Sequence, residues 1–567
     1  MMIFLCVLLA PLLHWVAGTR PLVDLKDGIV EGFVRGNVAT WLGIPFAQPP
    51  VGDLRWRPPQ PPVPWRPHVR NATAFGNMCM QASDYGRLGN VTSHPKRMNG
   101  TSEDCLYLNV WTWAHRRPGG AVPVFFWIHG GGFQGGSSSE WVYNGHNDVE
   151  LTGGEFIIVT VNYRLNVFGF AASERLRRRD PNGGTGNYGL LDQRLAMTWV
   201  KNNIASFGGD PLRVMIVGES AGADSVAHHL VMPKSWDLFN AAGVDSGALY
   251  SVHPALNRID NTLGPTPGNV TVKHQEARFD LLLASAGCGA ETLKDPVACL
   301  VALPEAKVLD LMFAAEPLRR WQWVPVIDGV DLTDAAVPLA AAGKLAPVPV
   351  VVGSNSEDIG VMFPNCWPQS CNEDDFRALI NKRFKLPSDA IDQLVRAYEH
   401  ETPRHILGWN KWFTAAVHMG ADQIMTCSSR RLARWVTAAG QRAYWYYFAY
   451  PPRLKNGTSV PIFHAYDLGY LFHAPANLSK IDSDGRFSTN VVQYWASFVK
   501  TGVPHGTQPW PAYSPLTEPA LVFGEAQHIE VVERLRGEIC DFWDKHEDHW
   551  GGFLKQAHTD STQVIQI

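Results

Sequence analysis

Residues 218–222 read Gly-Glu-Ser-Ala-Gly, a serine with a glycine two positions away on each side. The pentapeptide follows the apolar run 214–217 and precedes a segment, 223–230, that can be helical. Between a strand and a helix, G-x-S-x-G is typical of a nucleophile elbow, in which a sharp turn lifts the serine hydroxyl clear of the backbone. Ser220 is therefore a candidate nucleophile for acyl transfer. Glycine and serine are common, so the motif needs partners elsewhere in the chain.

A glycine-rich loop can supply the next requirement, donors for an oxyanion. Residues 129–133, His-Gly-Gly-Gly-Phe, directly follow the apolar run 122–128. Glycines let backbone N–H groups approach a substrate oxygen without side-chain interference, as in oxyanion loops of the HGGG type. We expect the N–H groups of Gly131, Gly132 and Ala221 to form the oxyanion hole. The alternative is a plain flexible loop.

The general base should be a histidine downstream of the serine, and the chain contains 20 histidines. His464 lies in the aromatic segment 461–468, Pro-Ile-Phe-His-Ala-Tyr-Asp-Leu, which is expected to be poor in water. From that segment alone, a buried core histidine is as good an interpretation as a catalytic base.

The elements that must position these residues follow from hydrophobic patterning. An amphipathic pattern over 189–204 predicts a helix. Strands alternating with helices predict an α/β fold with a mostly parallel sheet, whose ligands bind beyond the carboxyl ends of the strands. Gly130 and Ser220 would lie at that edge. Buried parallel strands are predicted at the apolar runs 122–128, 156–161, 214–217, 348–352 and 443–448.

Composition bounds the class of protein. The chain has 567 residues, 46% of them hydrophobic, and no linker or repeat divides it, so one large domain with insertions is expected. The net charge of −4, with both signs interspersed, argues against a nucleic-acid partner. The apolar N-terminus predicts a signal peptide over 1–18, with a signal anchor as the alternative. We therefore expect a secreted domain over 19–555 without a transmembrane segment, followed by a polar tail over 556–567.

Cysteine and sequon counts agree with export. Nine cysteines include Cys6 in the predicted signal peptide, and the even remainder predicts four disulfides. Their spacings do not suit zinc, and neither a metal nor an organic cofactor is expected. The remaining cysteines are Cys79, Cys105, Cys288, Cys299, Cys366, Cys371, Cys427 and Cys540. The N-x-S/T sequons that predict glycosylation are at Asn71, Asn90, Asn99, Asn269, Asn456 and Asn477.

Several longer motifs point to one family. Residues 102–109, Ser-Glu-Asp-Cys-Leu-Tyr-Leu-Asn, are the most specific, and further motifs lie at 162–164, 168–170, 186–195, 207–211, 324–329 and 495–498. Together they resemble the type-B carboxylesterase and cholinesterase family of α/β-hydrolases over nearly all of the mature chain. The resemblance implies the α/β-hydrolase fold with insertions and disulfides, and a serine esterase mechanism through an acyl-enzyme. The segment Phe-His-Ala-Tyr-Asp at 463–467 matches the family motif that carries the base, which assigns that role to His464.

The acid of the triad departs from the family pattern. Members usually carry a glutamate in a segment like G-x-N-x-[DE]-E-G, and the matching residues 353–360 read Gly-Ser-Asn-Ser-Glu-Asp-Ile-Gly. Counting from the first glycine puts Asp358 in the acid position and Ile359 where glycine is usual. Either carboxylate can orient a histidine. We favour Asp358, and Glu357 is the alternative if the loop is shifted by one residue.

The resemblance also implies structural pairs. It pairs Arg55 with Glu103 as a buried ion pair. The C-terminal stretch 531–553 can form a helix that joins a two-fold bundle, which would make a homodimer, or it can pack on its own domain. The implied disulfides are Cys79–Cys105, Cys288–Cys299 and Cys427–Cys540, and the remaining Cys366 and Cys371 are expected to pair locally.

The substrate is expected to be a small-molecule ester, and a secreted carboxylesterase-like enzyme is the main hypothesis. Cholinesterases bind quaternary ammonium through a tryptophan in the first disulfide loop, and residues 79–105 contain none. Lys96 falls near that position, and Asp84 alone cannot replace an aromatic face. Trp321 and Trp323 either narrow the acyl pocket or pack in the core. A cholinesterase is the first alternative, and a non-catalytic cholinesterase-like adhesion protein is the second.

Overall fold

The computed structural model describes residues 18, 20–82, 100–115, 120–249, 270–289, 294–314, 323–358, 360, 364–384, 386–403, 407–451, 461–474, 482–524 and 528–546. Outside these ranges lie most of the predicted signal peptide, the polar tail, Ile359, Asp84, Lys96 and Trp321. Also outside them are the sequons at Asn90, Asn99, Asn269, Asn456 and Asn477.

Strands occur along the whole described chain. In chain order they are β1 Leu22–Asp24, β2 Ile29–Glu31, β3 Phe33–Arg35, β4 Val38–Pro45, β5 Val69–Asn71, β6 Met78–Cys79, β7 Thr101–Ser102, β8 Tyr107–Trp113, β9 Val122–Ile128, β10 Ile157–Val161, β11 Gly209–Glu219, β12 Ala241–Asp245, β13 Val350–Asn355, β14 Ala443–Phe448, β15 Pro519–Phe523 and β16 Ile529–Glu533.

A mixed sheet of 11 strands forms the centre of the protein, in the order β16-β15-β14-β13-β12-β11-β9-β10-β8-β4-β3. The neighbours from β10 through β15 are parallel, and the pairs at both edges are antiparallel. Small sheets, β1-β2-β5 and β6-β7, stand beside it. The expectation of a large, mostly parallel sheet flanked by helices is confirmed, as is the α/β-hydrolase fold.

Both faces of the central sheet are covered, which explains the continuous apolar runs in the sequence. Along β9, Val124 and Phe126 belong to the core on one face, and Phe125 and Trp127 belong to the core on the other. Side chains alternate between the faces of a strand, so a strand buried on both sides is apolar throughout. All five strands predicted from such runs are present.

Helices cover the sheet. In chain order they are α1 His146–Leu151, α2 Asn166–Phe170, α3 Glu174–Arg177, α4 Tyr188–Asn203, α5 Ala221–Val231, α6 Val272–Ser285, α7 Pro296–Val301, α8 Glu305–Ala314, α9 Ala336–Ala341, α10 Glu373–Arg383, α11 Ser388–Tyr398, α12 Lys411–Ala421, α13 Cys427–Ala438, α14 Leu468–Leu471, α15 Asp482–Thr501 and α16 Gly537–Lys545. Helix α4 is the amphipathic segment predicted over 189–204, and α5 is the helix that follows Ser220. Among the described residues, no helix has both the length and the apolar character that crossing a bilayer requires.

Four disulfides brace this fold with the pairings expected from the sequence. They are Cys79–Cys105, Cys288–Cys299, Cys366–Cys371 and Cys427–Cys540. The last closes 113 residues and ties α13 to the C-terminal helix α16. Bridges over long loops reduce the freedom of the unfolded chain most.

Buried ion pairs link distant segments. Arg55 Nε lies 2.7 Å from Glu103 Oε1, so the expected pair is present. A second pair joins Arg164 to Asp192, with Nη2 2.7 Å from Oδ1.

The C-terminal stretch differs from expectation. We predicted a helix over 531–553, but residue 531 lies in the edge strand β16 and the helix α16 begins at Gly537. All five residues of β16, Val531 among them, pair with β15, so edge-strand pairing overrides the helical pattern expected there.

Candidate active site

Ser220 stands at a strained turn between β11 and α5. Its backbone has φ +58° and ψ −125°, a conformation that non-glycine residues rarely adopt, and its side chain is buried. Its N–H donates to the carbonyl of Asp245 at 3.0 Å. A Cβ on Gly222 would lie 2.0 Å from Ile128 O, and a Cβ on Gly218 would lie 2.3 Å from the carbonyl carbon of Gly222. The two glycines of the motif are therefore required by close backbone approach.

The glycine loop after β9 lies against the elbow. A Cβ on Gly130 would come within 3.0 Å of Ser220 Cβ. Gly131 and Gly132 have φ of +109° and +59°, in the left-handed region that favours glycine. Ala221 begins α5, whose first N–H groups have no acceptor within the helix. The three expected oxyanion donors thus belong to two segments that meet at Ser220.

His464 is held by Asp358. The imidazole Nδ1 lies 2.5 Å from Asp358 Oδ1, and Asp358 is completely buried. Asp358 Oδ2 accepts the backbone N–H of Asn355 at 3.0 Å. A parallel bridge between Asp358 and Phe463 keeps the acid loop beside the histidine loop.

The neighbouring carboxylate has another partner. Glu357 Oε2 accepts the backbone N–H of Ile462 at 2.6 Å. Of the two acids considered from the sequence, Asp358 contacts the imidazole of His464. Glu357 instead binds the backbone of Ile462, two residues before that histidine.

The outer nitrogen of His464 points toward the elbow. Nε2 lies 3.2 Å from Glu219 Oε1, beside Ser220, and it forms no hydrogen bond with a described residue. The structure brings Ser220 and His464 to the same edge of the sheet without a hydrogen bond between them. In unliganded enzymes such contacts often form only once substrate is bound.

Carboxylates dominate the electrostatics of this edge. Burial lowers the pKa of His464, but the charges of Glu219 and Asp358 outweigh it, so the pKa of His464 is raised overall. Burial raises the pKa of Glu219. The site thus favours an imidazole that accepts and keeps a proton, as a general base must when it withdraws one from a hydroxyl.

Sequence reasoning missed four polar residues of this edge. Glu219 occupies a variable position of the G-x-S-x-G motif, and Asp467 lies inside the segment that carries His464. Asn355 donates its side-chain amide to Asp467 Oδ1 at 2.9 Å. Asp245 ends β12, whose small residues, Ala-Ala-Gly-Val-Asp, were not recognised as a strand. Their positions in the sequence could have identified them, because each of the four lies at the end of a strand, directly after one, or close to His464.

Of the two tryptophans considered for the acyl pocket, Trp323 lies in the described part of the chain. Trp323 is completely buried, and its carbonyl accepts the Gln134 amide at 3.0 Å, so its place in the described structure is core packing. Within the described ranges, no three His, Cys, Asp or Glu side chains are grouped as a metal site would require.

Comparisons with known proteins agree with this geometry. A sequence profile described as the Carboxylesterase family matches residues 19–543. Cholinesterase of Mus musculus is 30% identical over 547 residues, covering 92% of this chain and 86% of the relative. Carboxylesterase 5A of Mus musculus is 30% identical over 550 residues, covering 90% and 87%. Acetylcholinesterase of Bungarus fasciatus is 31% identical over 554 residues, covering 92% and 86%.

Proposed function

Because the chain belongs to the carboxylesterase family, we propose that it is a secreted serine esterase that cleaves small carboxylic esters through an acyl-enzyme. The observation that carries the proposal is the 2.5 Å contact between His464 Nδ1 and Asp358 Oδ1 at the sheet edge where Ser220 occupies its elbow. A base oriented by a buried acid, beside a strained serine, is the arrangement that activates a hydroxyl for attack.

In the proposed reaction His464 takes the Ser220 proton while the serine oxygen attacks the ester carbonyl. The N–H groups of Gly131, Gly132 and Ala221 receive the negative charge that develops on the carbonyl oxygen. His464 then gives the proton to the leaving alcohol, and the acyl group remains on Ser220. Water activated by the same imidazole releases the acid. Asp358 keeps Nδ1 protonated, so that Nε2 faces the reacting atoms.

Export and modification are part of the proposal. Four disulfides favour an oxidising compartment, in agreement with cleavage of a signal peptide over 1–18. Asn71, the one sequon in the described ranges, is exposed on the edge strand β5, and its Oδ1 accepts the Thr73 hydroxyl at 2.7 Å. We assign a glycan to Asn71 and one domain to 19–555. A homodimer through α16 is the assembly to test.

A cholinesterase is the second candidate, and Glu219 is the observation that favours it. Its carboxyl group lies 3.2 Å from His464 Nε2, the nitrogen proposed to protonate the leaving alcohol, so an ionised Glu219 would attract a cationic alcohol. The absence of tryptophan between Cys79 and Cys105 speaks against it, because a quaternary ammonium group is bound best on an aromatic face. If the chain were an adhesion protein without activity, it would neither hydrolyse esters nor be labelled by an organophosphate.

One experiment separates the candidates. The purified secreted protein is assayed on p-nitrophenyl acetate, butyrate and hexanoate and on acetylthiocholine, and its labelling by diisopropyl fluorophosphate is measured. We expect turnover of the p-nitrophenyl esters and labelling of one serine, both lost in Ser220→Ala. Ser235→Ala removes a buried hydroxyl that bonds to Arg194 and His229, just beyond helix α5, and this matched control should keep both. Preference for the choline ester would favour a cholinesterase, and the absence of turnover and labelling would overturn the proposal.

A further inference from the structure

Two carboxyl groups that the proposed reaction does not use meet behind the histidine. Asp245 ends β12, and Asp467 follows His464 by three residues. Both are buried, and their side chains are in hydrogen-bond contact with each other. A buried contact between two acids needs an explanation, since two carboxylates repel and neither can donate.

The surrounding donors show which acid carries a proton. Asp467 Oδ1 accepts the Asn355 amide at 2.9 Å, as an ionised carboxylate does. Asp245 Oδ1 accepts the Ser246 hydroxyl at 3.0 Å, and the Asp245 carboxyl also faces the Tyr446 hydroxyl. Its Oδ2 is buried and makes no well-aligned hydrogen bond with a described donor. A proton on Asp245 Oδ2, donated to Asp467, satisfies both groups.

Burial agrees with this assignment. The pKa of Asp245 is raised well above its ordinary range by burial, and the neighbouring carboxylates Asp467 and Glu219 raise it further. The other titratable groups that face the pair are Tyr446 on β14, Asp358 on the acid loop, Tyr143 and, beyond Glu219, His464.

The acid pair lies between the two halves of the proposed catalytic machinery. The carbonyl of Asp245 accepts the Ser220 N–H at 3.0 Å. On the other side, the Asn355 amide that donates to Asp467 also donates to the Phe463 carbonyl at 3.0 Å, next to His464. Through its own N–H, Asn355 holds Asp358 as well.

We propose that Asp245 and Asp467 share one proton, and that the protonated pair is a positioning element that holds the His464 loop in register with the Ser220 elbow. The inference rests on the proposed esterase function. Loss of the shared proton leaves two buried carboxylates in contact, and their repulsion displaces the loop and lowers kcat. The pair therefore makes the reaction sensitive to alkaline pH.

Two substitutions at Asp245 separate the proton from the packing. In Asp245→Asn the amide donates to Asp467 permanently, so kcat should stay within about twofold of the parent at pH 7 and should no longer fall at alkaline pH. In Asp245→Ala the donor is missing, and kcat should fall by about tenfold with little change in KM. The readouts are kcat and KM for p-nitrophenyl acetate from pH 6 to 10, with active sites counted by organophosphate.

Asp148→Asn is the matched control. Asp148 on α1 is also buried and its pKa is raised by burial, but it bonds to none of the residues named above. Its substitution should alter the pH dependence of thermal unfolding and leave the kcat profile unchanged. Infrared difference spectra between pH 7 and pH 10 give a direct readout, because the protonated-acid carbonyl band of Asp245 should vanish in Asp245→Asn.

The outcomes are distinct. The inference is overturned if kcat still declines at alkaline pH in Asp245→Asn. It is also overturned if Asp148→Asn removes the decline equally. Neither result contradicts the esterase function. A protonated-acid band that is equally strong in the parent and in Asp245→Asn, and that Glu219→Gln does not remove, overturns the shared proton. A parent protein that neither hydrolyses esters nor reacts with organophosphate overturns the proposed function, and the positioning role with it.

Discussion

Buried carboxylates in the scaffold and buried carboxylates at the strand ends have opposite surroundings. In two scaffold ion pairs the carboxylate meets a guanidinium: Glu103 meets Arg55, and Asp192 meets Arg164. At the strand ends, Glu219, Asp358 and Asp467 surround His464, and Asp245 adjoins Asp467 and Glu219.

The difference lies in whether the counter-charge can be removed. Arginine does not lose its proton at any physiological pH, so the scaffold pairs keep their charge. Imidazole gains and loses a proton near neutral pH, so at the strand ends the charge can change during a reaction. Buried acids stabilise the fold where a permanent cation balances their charge. Where a titratable group such as imidazole balances it, they can take part in proton transfer.

Asp358→Asn should have the largest effect, because an amide cannot hold the Nδ1 proton of His464 as a carboxylate does. We expect kcat for p-nitrophenyl acetate to fall by about 10⁴-fold with the fold retained. Glu357→Gln, the neighbouring acid, is the control and should lose far less, since Gln retains an oxygen for the Ile462 N–H. If the two variants exchange these effects, the acid has been assigned to the wrong residue.

The next largest effect should come from the scaffold. Arg164→Met leaves Asp192 buried without its cation, and we expect a loss of about 3–5 kcal/mol in unfolding free energy. Thermal unfolding measures it. Arg175→Met breaks the exposed Arg175–Asp280 pair, whose charges are 3.7 Å apart, and should cost less than about 1 kcal/mol. Equal losses in both variants would contradict the distinction between buried and exposed pairs.

Glu219→Gln tests the charge at the strand ends. The carboxylate raises the pKa of His464 by stabilising the imidazolium, so its removal should lower that pKa. The acid limb of kcat/KM, which follows deprotonation of the base, should move down by about one pH unit. A limb that stays in place or moves up would show that Glu219 carries no charge near His464.

Asp148→Asn should have the smallest effect. Burial raises the pKa of Asp148, so the folded state holds its proton more tightly than the unfolded chain does. The parent therefore loses stability as pH rises from the unfolded pKa to the folded one. The amide removes this loss, and the variant should be more stable by about 1 kcal/mol at pH 8. Unfolding curves of parent and variant that stay parallel from pH 5 to 8 would contradict it.

Local sterics explain what could be read from the chain alone. The turn around Ser220 needs glycines at 218 and 222 because backbone segments approach too closely there for a Cβ atom. This requirement can be read from the sequence, since each glycine is only two residues from the serine. Continuous apolar runs predicted β9 and β14 because a strand covered on both faces must be apolar throughout. His464 was not identifiable from its own segment and emerged only through a family motif.

Tertiary structure decided what depended on distant segments meeting. Asp358 and Glu357 are adjacent acids, and only the position of the histidine loop, 106 residues away, shows which one meets the imidazole. The contact of Asp245 with Asp467 likewise depends on the sheet order, because β12 ends at Asp245 beside β13, whose last residue Asn355 donates to Asp467. Sequence alone determined the turn at Ser220 and the strands with continuous apolar runs, because those obey local rules. The pairing of charges was decided by the sheet, because it depends on which strand ends become neighbours.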